Sequence, residues 1–311
     1  TIPIYLGIDI GSTSTKAVLM ATNHRSNRLL AGLYTRTRGQ PVLATQSLFR
    51  EIKEIEQKYL TQFEIIGTGT TGSGRKFLQK ILNADYAIDE ITAHARAAYE
   101  LNPKIDTIIE IGGQDSKFMR VHQEQVRDSN MNYVCAAGTG SFVEEQANKL
   151  GYKVSEAGPA VLGIQPPRAT DRCTVFMERD LNHYLSEGYT VDEVLASVLH
   201  SIRENYLTKV AIEGSIGNTV FFQGATAKNR ALVAAFEQRL QKPINVSKYC
   251  HLTGALGAAL SLLDQGIGET GFRGIALHEK TINVTSETCE LCTNHCKITL
   301  ADVAGEKVAY G

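Results

Sequence analysis

Residues 7–16 read Gly-Ile-Asp-Ile-Gly-Ser-Thr-Ser-Thr-Lys, and they end an apolar run that predicts a buried strand over 2–10. Gly11 lets the chain turn sharply at little steric cost. The backbone N–H groups and hydroxyls after it can surround phosphate oxygens, as concave turns commonly do. Asp9, at the strand end, could orient waters around Mg²⁺, which keeps several waters when it binds phosphates. The motif predicts a phosphate-binding β-hairpin, although an ordinary hairpin with a polar turn has the same residue types.

The residues of this first turn have separate candidate roles. Asp9 is a candidate catalytic residue, and Lys16 adds a positive charge for the phosphates. The candidate nucleotide-binding residues are the glycine, the hydroxyl-bearing residues and the lysine: Gly11, Ser12, Thr13, Ser14, Thr15 and Lys16.

A second hairpin of the same pattern is predicted over 107–122. An apolar strand at 107–111 leads into the turn Gly-Gly-Gln-Asp-Ser, so an acid again stands before a glycine turn. The candidate catalytic residues here are Glu110, Gln114 and Asp115, and the candidate nucleotide-binding residues are Gly112 and Gly113. Two β-turn-β units of one pattern predict a duplicated core, in which two facing hairpins could grip a triphosphate from both sides.

A third turn, at 222–226, reads Phe-Gln-Gly-Ala-Thr where a predicted strand meets a predicted helix. It could pass under an adenine ring, and Gly224, Ala225 and Lys228 are further candidate nucleotide-binding residues. After the second hairpin, apolar periodicity predicts mainly helices, at 140–150, 174–185, 191–212 and 229–240. A run of small residues at 253–263 predicts one more helix, suited to close packing.

Two other nucleotide-binding motifs compete with these hairpins. Residues 67–72 read Gly-Thr-Gly-Thr-Thr-Gly, which fits the dinucleotide fingerprint between a predicted strand and a predicted helix. The second strand ending in an acid, which that fingerprint requires, is not evident. Residues 69–74 nearly fit a P-loop, but Arg75 takes the lysine position. We interpret the segment as a loop at a domain interface.

The bulk composition is that of a globular protein. The chain has 311 residues, enough for two domains, with 43% hydrophobic and 21% charged residues. A formal net charge of −1 argues against nucleic-acid and membrane-surface partners. The sequence contains neither an apolar run long enough to cross a bilayer nor a signal-peptide pattern, so we expect a cytoplasmic protein.

Two of the six cysteines stand at predicted helix starts. Cys135 precedes Ala-Ala-Gly-Thr-Gly and a helix, and Cys173 opens another. Unpaired N–H groups at a helix N-terminus favour the thiolate, which is the form that binds metal. A cubane iron–sulfur cluster takes four thiolates. A two-fold homodimer that shares one cluster would supply all four, two from each chain. The alternative is a pair of unrelated buried cysteines.

The three turns together resemble the superfamily of acetate and sugar kinases, heat-shock chaperones and actin. The resemblance implies an α/β fold with two domains, each built on a mixed β-sheet, and an interdomain nucleotide cleft. We expect one domain over 1–102 plus 251–264, a second with the cluster cysteines over 103–250, and an appended cysteine-containing segment over 265–311. Glu110 stands where most members have Asp, and Gln223 stands where a second glycine is common.

At closer range the chain is similar to the activators (archerases, component A) of 2-hydroxyacyl-CoA dehydratases and to benzoyl-CoA reductase ATPase subunits, the BadF/BadG/BcrA/BcrD ATPase family. The similarity covers about 6–263 and includes the residues around Cys135, Cys173 and 111–115. It implies ATP or ADP with Mg²⁺, a homodimer, and one 4Fe-4S cluster ligated by Cys135 and Cys173. It also implies one-electron transfer from ferredoxin or flavodoxin to a dehydratase or reductase, driven by ATP hydrolysis.

A last cysteine group departs from the short members of that family. Cys289, Cys292 and Cys296 form a C-x₂-C-x₃-C run that includes His295. They could bind zinc together with the histidine, or hold part of an iron–sulfur cluster. The segment looks like the longer, multidomain family members, so the chain is interpreted as one module whose fourth ligand lies beyond residue 311.

Two other functions are compatible with the same fold. A sugar or carboxylate kinase would need a catalytic base and a substrate pocket, and it would leave the cysteines at the helix starts unexplained. A nucleotide-dependent sensor or assembly protein would turn over ATP slowly and bind no cluster.

Overall fold

The computed structural model describes residues 1–23, 26–132, 135–211 and 214–311. In chain order its strands are β1 (Ile2–Ile10), β2 (Ser14–Asn23), β3 (Ser26–Arg36), β4 (Phe63–Thr71), β5 (Tyr86–Ala87), β6 (Thr107–Ile111), β7 (Ser116–His122), β8 (Gln125–Asn132), β9 (Val220–Gln223), β10 (Ile244–Val246), β11 (Ile282–Thr288), β12 (Lys297–Val303) and β13 (Glu306–Tyr310). Its helices are α1 (Pro41–Lys58), α2 (Arg75–Leu82), α3 (Glu90–Leu101), α4 (Gly140–Lys149), α5 (Val154–Val161), α6 (Thr174–Ser186), α7 (Val191–Lys209), α8 (Arg230–Leu240) and α9 (Thr253–Asp264). Among the helices in these ranges, none combines the length and the apolar character needed to cross a bilayer.

The chain folds into two compact units. The first contains Thr1–Ala97 and Gly254–Gly311, and the second contains Ala98–Thr253. The first unit holds a five-stranded sheet in the order β3-β2-β1-β4-β5. Strands β1, β2 and β3 form an antiparallel meander, and β4 and β5 continue the sheet in parallel from β1.

The second unit repeats this topology. Its sheet has the order β8-β7-β6-β9-β10, with an antiparallel β6-β7-β8 meander and two parallel additions. The duplicated core predicted from the two hairpins is therefore confirmed. The prediction of mainly helices after the second hairpin missed β8, which occupies the place that β3 has in the first unit. Most side chains of β8 are polar and exposed, so this strand carries no apolar alternation.

The glycine-rich segment at 67–72 is part of a strand rather than a loop. Strand β4 runs through it, and Gly69 packs so closely against α9 that a Cβ atom there would lie 2.8 Å from the Ala258 carbonyl oxygen. Gly72 follows the strand with φ +88°, and a Cβ atom there would lie 2.5 Å from the Ile10 carbonyl oxygen. The interpretation of this segment as a loop is wrong, because Gly67 and Gly69 lie in β4.

Helix α9 lies on the sheet of the first unit through small residues, as predicted for the run at 253–263. A Cβ atom on Gly7 of β1 would lie 1.9 Å from the Ala255 carbonyl oxygen. A Cβ atom on Gly257 would lie 1.8 Å from the Ala93 carbonyl oxygen of α3. Backbone therefore meets backbone on both sides of α9.

The C-terminal strands also belong to the first unit. Strands β11, β12 and β13 form an antiparallel sheet. Ala301 and Val303 of β12 are almost fully buried in the same core as β1. The side-chain amide of Gln46 donates hydrogen bonds to the carbonyls of Leu277 and Lys280, both at 2.7 Å. These bonds hold the segment that leads into β11.

Gly7→Ala tests the contact between α9 and β1. The added methyl would force helix and strand apart, so we expect a loss of about 3 kcal/mol in the free energy of unfolding, at the upper end for overpacking. The melting temperature should fall by about 5 °C or more. Gly268→Ala is the matched control, because nothing lies within 4 Å of its Cβ position. Equal melting temperatures for the two variants would contradict this packing.

Candidate functional site

The turns of the two hairpins have one hydrogen-bonding geometry. The Gly11 N–H donates to the Ser14 carbonyl at 3.0 Å, and the Gly112 N–H donates to the Asp115 carbonyl at 2.9 Å. Each turn follows the last paired residues of the hairpin, Ile10 with Thr15 in the first and Ile111 with Ser116 in the second. The two turns are equivalent residue by residue.

An acid and a lysine pair across the strands at the same place in both hairpins. Asp9 lies opposite Lys16, with Oδ2 and Nζ 3.1 Å apart. Glu110 lies opposite Lys117, with Oε2 and Nζ 3.0 Å apart. The second pair is more deeply buried, and Lys117 Nζ also lies 2.9 Å from Asp115 Oδ1. The structure thus brings together two predicted catalytic residues, Glu110 and Asp115, through a lysine that the sequence analysis did not single out.

The third predicted turn meets the second hairpin. Gly224 has φ +91°, and a Cβ atom there would lie 2.3 Å from the Ile111 carbonyl oxygen and 2.9 Å from Glu110 Oε1. Gly224 is the counterpart of Gly72, which stands against the first hairpin in the same way. The 3₁₀ turn Ala225–Lys228 follows, and the side chains of Ala225 and Lys228 are exposed. The positive φ and the nearby Ile111 carbonyl therefore require glycine at position 224.

Several buried polar atoms around the hairpins have no hydrogen-bond partner among the described residues. In the second unit these are both amide atoms of Gln223 and the hydroxyl of Ser116, and in the first they include the hydroxyls of Thr13 and Thr71. Strand register places Gln223 beside Glu110 and Thr71 beside Asp9. Buried polar groups are normally hydrogen-bonded, so these atoms need a water or ligand partner. They fit a hydrated Mg²⁺ or a phosphate at each hairpin.

The predicted site residues differ in exposure. Ser12 and Gln114 are exposed at the turns, while Ser14 and Thr15 are buried in β2. The hydroxyl of Thr15 lies 2.9 Å from that of Thr37, a residue that the sequence analysis missed. Thr37 also donates through its hydroxyl to the Gly11 carbonyl at 2.6 Å, so it braces the first turn from the end of β3.

The second turn is braced by different residues. The Gly140 N–H donates to the Gly112 carbonyl, and the Ser141 N–H donates to the Gly113 carbonyl, both at 2.8 Å. The Ser141 hydroxyl donates to the same Gly113 carbonyl. The first residues of helix α4 therefore contact the turn of the second hairpin. No local sequence signal marks this contact, because its partners lie on separate elements.

The two candidate cluster ligands both start helical segments of the second unit. Cys173 is the N-cap residue of α6, as predicted. Cys135 precedes a 3₁₀ turn, Ala136–Gly138, rather than α4 itself. The chain becomes extended at Thr139 (φ −127°, ψ 162°) before α4 begins, which corrects the prediction that Cys135 runs straight into that helix. Both thiols are half-exposed.

The surroundings of these two cysteines differ from those of Cys250. Val175 and Phe176, just after Cys173, are 69% and 51% exposed, so α6 begins with an uncovered apolar surface. Cys250 is buried, and burial raises the pKa of its thiol. Cys250 is a core residue, and the two half-exposed thiols are the better ligand candidates.

The remaining three cysteines lie in one hairpin loop. Cys289, Cys292 and Cys296 fall between β11 and β12, and the Cys289 N–H closes the loop by donating to the Cys296 carbonyl at 2.7 Å. Cys292 and Cys296 are exposed. Within the described ranges, three or more His, Cys, Asp or Glu side chains do not converge into a metal-ligand group. As placed, these thiols do not fit a metal centre, and we derive no chemistry from them.

Comparison with known protein families gives one match over most of the chain. Residues 6–261 match the model of the BadF/BadG/BcrA/BcrD ATPase family. The chain is 33% identical over 260 residues to the (R)-2-hydroxyglutaryl-CoA dehydratase activating ATPase of Acidaminococcus fermentans, covering 82% of this chain and 95% of that protein. It is 33% identical over 259 residues to the activator of lactoyl-CoA dehydratase of Anaerotignum propionicum, covering 82% and 95%.

Solved structures agree with this comparison. Component A of the Acidaminococcus fermentans (R)-2-hydroxyglutaryl-CoA dehydratase superimposes with a TM-score of 0.72 at 30% identity, covering 85% of this chain and 99% of that one. The activator of the 2-hydroxyisocaproyl-CoA dehydratase from Clostridium difficile, with bound ADPNP, gives 0.70 at 29% identity, covering 84% and 95%. The ethanolamine utilization protein EutJ of Carboxydothermus hydrogenoformans shares the fold alone, with a TM-score of 0.53 at 17% identity over 84% and 90% of the chains. The predicted actin-like fold is therefore confirmed.

Lys117→Met tests the ionic contacts of the second turn. Removing the ammonium leaves Glu110 as an uncompensated buried carboxylate, so we expect a loss of about 3–5 kcal/mol in the free energy of unfolding. Lys153→Met is the control, since Lys153 and Glu156 form an exposed pair 3.7 Å apart and such pairs contribute little. Denaturant unfolding measures both, and equal stabilities would contradict the buried network.

Proposed function

We propose that this chain, which belongs to the BadF/BadG/BcrA/BcrD ATPase family, is an ATP-dependent activase that transfers single electrons to a dehydratase- or reductase-type partner. The observation that carries the proposal is the position of two half-exposed thiols, Cys135 and Cys173. Both start helical segments in the unit that holds the second phosphate-type hairpin. A sugar or carboxylate kinase would have no use for this arrangement.

In each unit, the turn of the hairpin would be the element that contacts ATP phosphates. Backbone N–H groups and the exposed Ser12 hydroxyl would contact phosphate oxygens, and Lys16 would add positive charge. The proposed nucleotide-binding residues are those of the three turns: Gly11, Ser12, Thr13, Ser14, Thr15, Lys16, Gly112, Gly113, Gly224, Ala225 and Lys228. Gln223 and the other buried polar side chains that lack a hydrogen-bond partner within the described part of the chain support a ligand or ordered water at these turns.

Asp9 and Glu110 are the acids that would orient the waters of Mg²⁺. Each stands at the end of a strand and faces a lysine that compensates its charge. Mg²⁺ is usually held through one or two carboxylates, several waters and the substrate phosphates. Two strand-end acids fit that ligand set, since each lies beside a hydroxyl or amide group that has no hydrogen-bond partner among the residues the structure describes.

Hydrolysis would depend on the second turn. Gln114 is exposed at its tip, where its amide can orient the attacking water, as glutamine does in other NTPases. Asp115 and Glu110 carry the negative charge that can accept the proton of that water. Lys117 fixes both carboxylates, because its Nζ lies within 3.0 Å of an oxygen of each. The turn thus combines an orienting amide with positioned acids.

Cys135 and Cys173 would supply half of the ligands of a 4Fe-4S cluster. Thiolates are the ligands that such clusters take, and four are needed. One chain offers two half-exposed thiols, so we propose a homodimer in which a second copy provides the other two. When bound, the cluster would supply one-electron redox chemistry at low potential. The residues' own contribution is to bind it at helix starts, where unpaired N–H groups favour negative charge.

The partners follow from the relatives. Proteins similar to this chain are activators of (R)-2-hydroxyglutaryl-CoA, 2-hydroxyisocaproyl-CoA and lactoyl-CoA dehydratases. We propose an acceptor of the same kind, a 2-hydroxyacyl-CoA dehydratase or a related reductase, and ferredoxin or flavodoxin as the donor. All six cysteines are free thiols, which agrees with our proposal of a cytoplasmic protein.

Asp9→Asn and Glu110→Gln test the proposed hydrolysis. Each substitution keeps the side-chain size and removes a charge, so we expect kcat for ATP hydrolysis to fall by about 100-fold or more. The affinity for ADP and the melting temperature separate a chemical defect from lost binding or folding. Asp128→Asn, at an exposed position of β8, should keep the full rate. Full activity of both hairpin variants would rule out these catalytic roles.

Anaerobic metal analysis tests the proposed cluster. The purified protein should contain about four iron and four sulfide per two chains, as a cubane cluster shared by a dimer requires. The double variant Cys135→Ala/Cys173→Ala should lose this iron, and the triple variant Cys289→Ala/Cys292→Ala/Cys296→Ala should keep it. Iron retained by the double variant would refute the ligand assignment.

A further inference from the structure

We infer that Ser141 is a positioning residue that couples the nucleotide state of the second hairpin to the cysteines. This inference rests on the proposed function, since it concerns how ATP would act on the cluster ligands. It assigns that coupling to a defined set of hydrogen bonds inside the second unit. Neither nucleotide binding by the hairpin nor cluster binding by the cysteines requires these hydrogen bonds.

The first connection runs from the turn to the segment of Cys135. Gly112 and Gly113 give their carbonyls to the N–H groups of Gly140 and Ser141, and the Ser141 hydroxyl adds a third hydrogen bond. A β-turn that contacts phosphates through its N–H groups presents its carbonyls to the other side. Movement of the turn is therefore transmitted to the start of α4, five residues after Cys135 along the chain.

The duplicated fold shows that this connection is specific to the second unit. In the first unit the equivalent carbonyl, that of Gly11, accepts its hydrogen bond from the hydroxyl of Thr37, which follows the neighbouring strand β3. The first turn is thus braced within its own sheet. In the second unit, the donors to the turn carbonyls come from the start of α4. This helix follows the segment that contains Cys135, a candidate cluster ligand.

The second connection runs through α7 to the segment of Cys173. Asn205 donates from its side-chain amide to the Asp171 carbonyl at 2.5 Å, two residues before Cys173. Thr208, one turn further along α7, lies 3.3 Å from the Asp171 carboxylate. A Cβ atom on Gly138 would lie only 2.7 Å from Asn205 Oδ1. Asn205 is therefore in close contact with the chain around both cysteines.

Helix α7 is itself fixed to the second hairpin. Tyr206, which is fully buried, donates its hydroxyl to the Lys117 carbonyl at 2.7 Å. Burial raises the pKa of Tyr206 well above its usual value, so the phenol stays protonated and remains a donor. Lys117 is the residue whose ammonium bridges Glu110 and Asp115. Both cysteine segments are thus connected to the same hairpin by side chains that are buried or hydrogen-bonded.

Ser141 is the most direct point at which to cut this connection. Its hydroxyl donates to the Gly113 carbonyl of the turn, and Ser141 is not among the residues proposed to catalyse hydrolysis. Ser141→Ala removes one hydrogen bond and leaves the helix start intact, and Ser141→Thr restores a hydroxyl. Ser186→Ala is the matched control, because the Ser186 hydroxyl bonds a carbonyl of its own helix, that of His183, at 2.7 Å.

Hydrogen–deuterium exchange of the purified protein, with ADP and with ADPNP, measures the coupling. In the wild-type protein, exchange over 136–142 should differ about fivefold or more between the nucleotides, the lower end of typical allosteric coupling. Ser141→Ala should reduce this difference, because the two backbone hydrogen bonds from α4 to the turn remain, while its affinity for ADPNP and its melting temperature stay at wild-type values. Ser141→Thr should restore the difference, and Ser186→Ala should leave it unchanged.

Three results would overturn the inference. Equal exchange with both nucleotides in the wild-type protein would show that the turn transmits nothing. A full nucleotide response in Ser141→Ala would show that the hydroxyl is not part of the connection. Weaker ADPNP binding by Ser141→Ala would make Ser141 a nucleotide ligand instead. Because the readout is amide exchange, it gives an answer even if the protein proves to contain no iron.

Discussion

The carbonyl groups of Gly112 and Gly113 are held by the first N–H groups of α4, and the arrangement of the second unit depends on this contact. A helix N-terminus leaves several N–H groups without intrahelical partners, and a glycine turn leaves carbonyls that need donors. Each therefore satisfies the other. The chain that connects them to β8 contains Cys135, so a structural need of the turn also positions a candidate redox ligand.

The two units show how one topology can be given two tasks. Both contain a meander of three antiparallel strands, two parallel additions, and an acid–lysine pair at the first turn. They differ in what covers the turn, Thr37 in the first unit and α4 in the second. They differ also in charge, because Asp115 adds a second carboxylate to Lys117. The second unit thus contains three of the four candidate catalytic residues, Glu110, Gln114 and Asp115, and both candidate cluster ligands, Cys135 and Cys173.

The hairpins, the duplicated core and most helices could be predicted from the sequence, because each rests on local residue patterns. Cys173, for example, caps α6 as predicted. What could not be predicted is non-local. Strand β8 is a polar edge strand that is recognisable only as the counterpart of β3. The glycines at 67–72 were ambiguous, because a phosphate loop and a strand packed against a helix both require glycine. The roles of Thr37, Lys117 and Ser141 depend on neighbours that only the fold brings together.

The central claim is that two chains share one cluster whose surroundings respond to the nucleotide. Quantitative electron paramagnetic resonance of the dithionite-reduced protein, recorded anaerobically with ADP and with ADPNP, tests it most directly. We expect one reduced cluster signal per two chains, with a line shape that changes between the two nucleotides. The absence of any cluster signal, or a signal that is identical with both nucleotides, would contradict it.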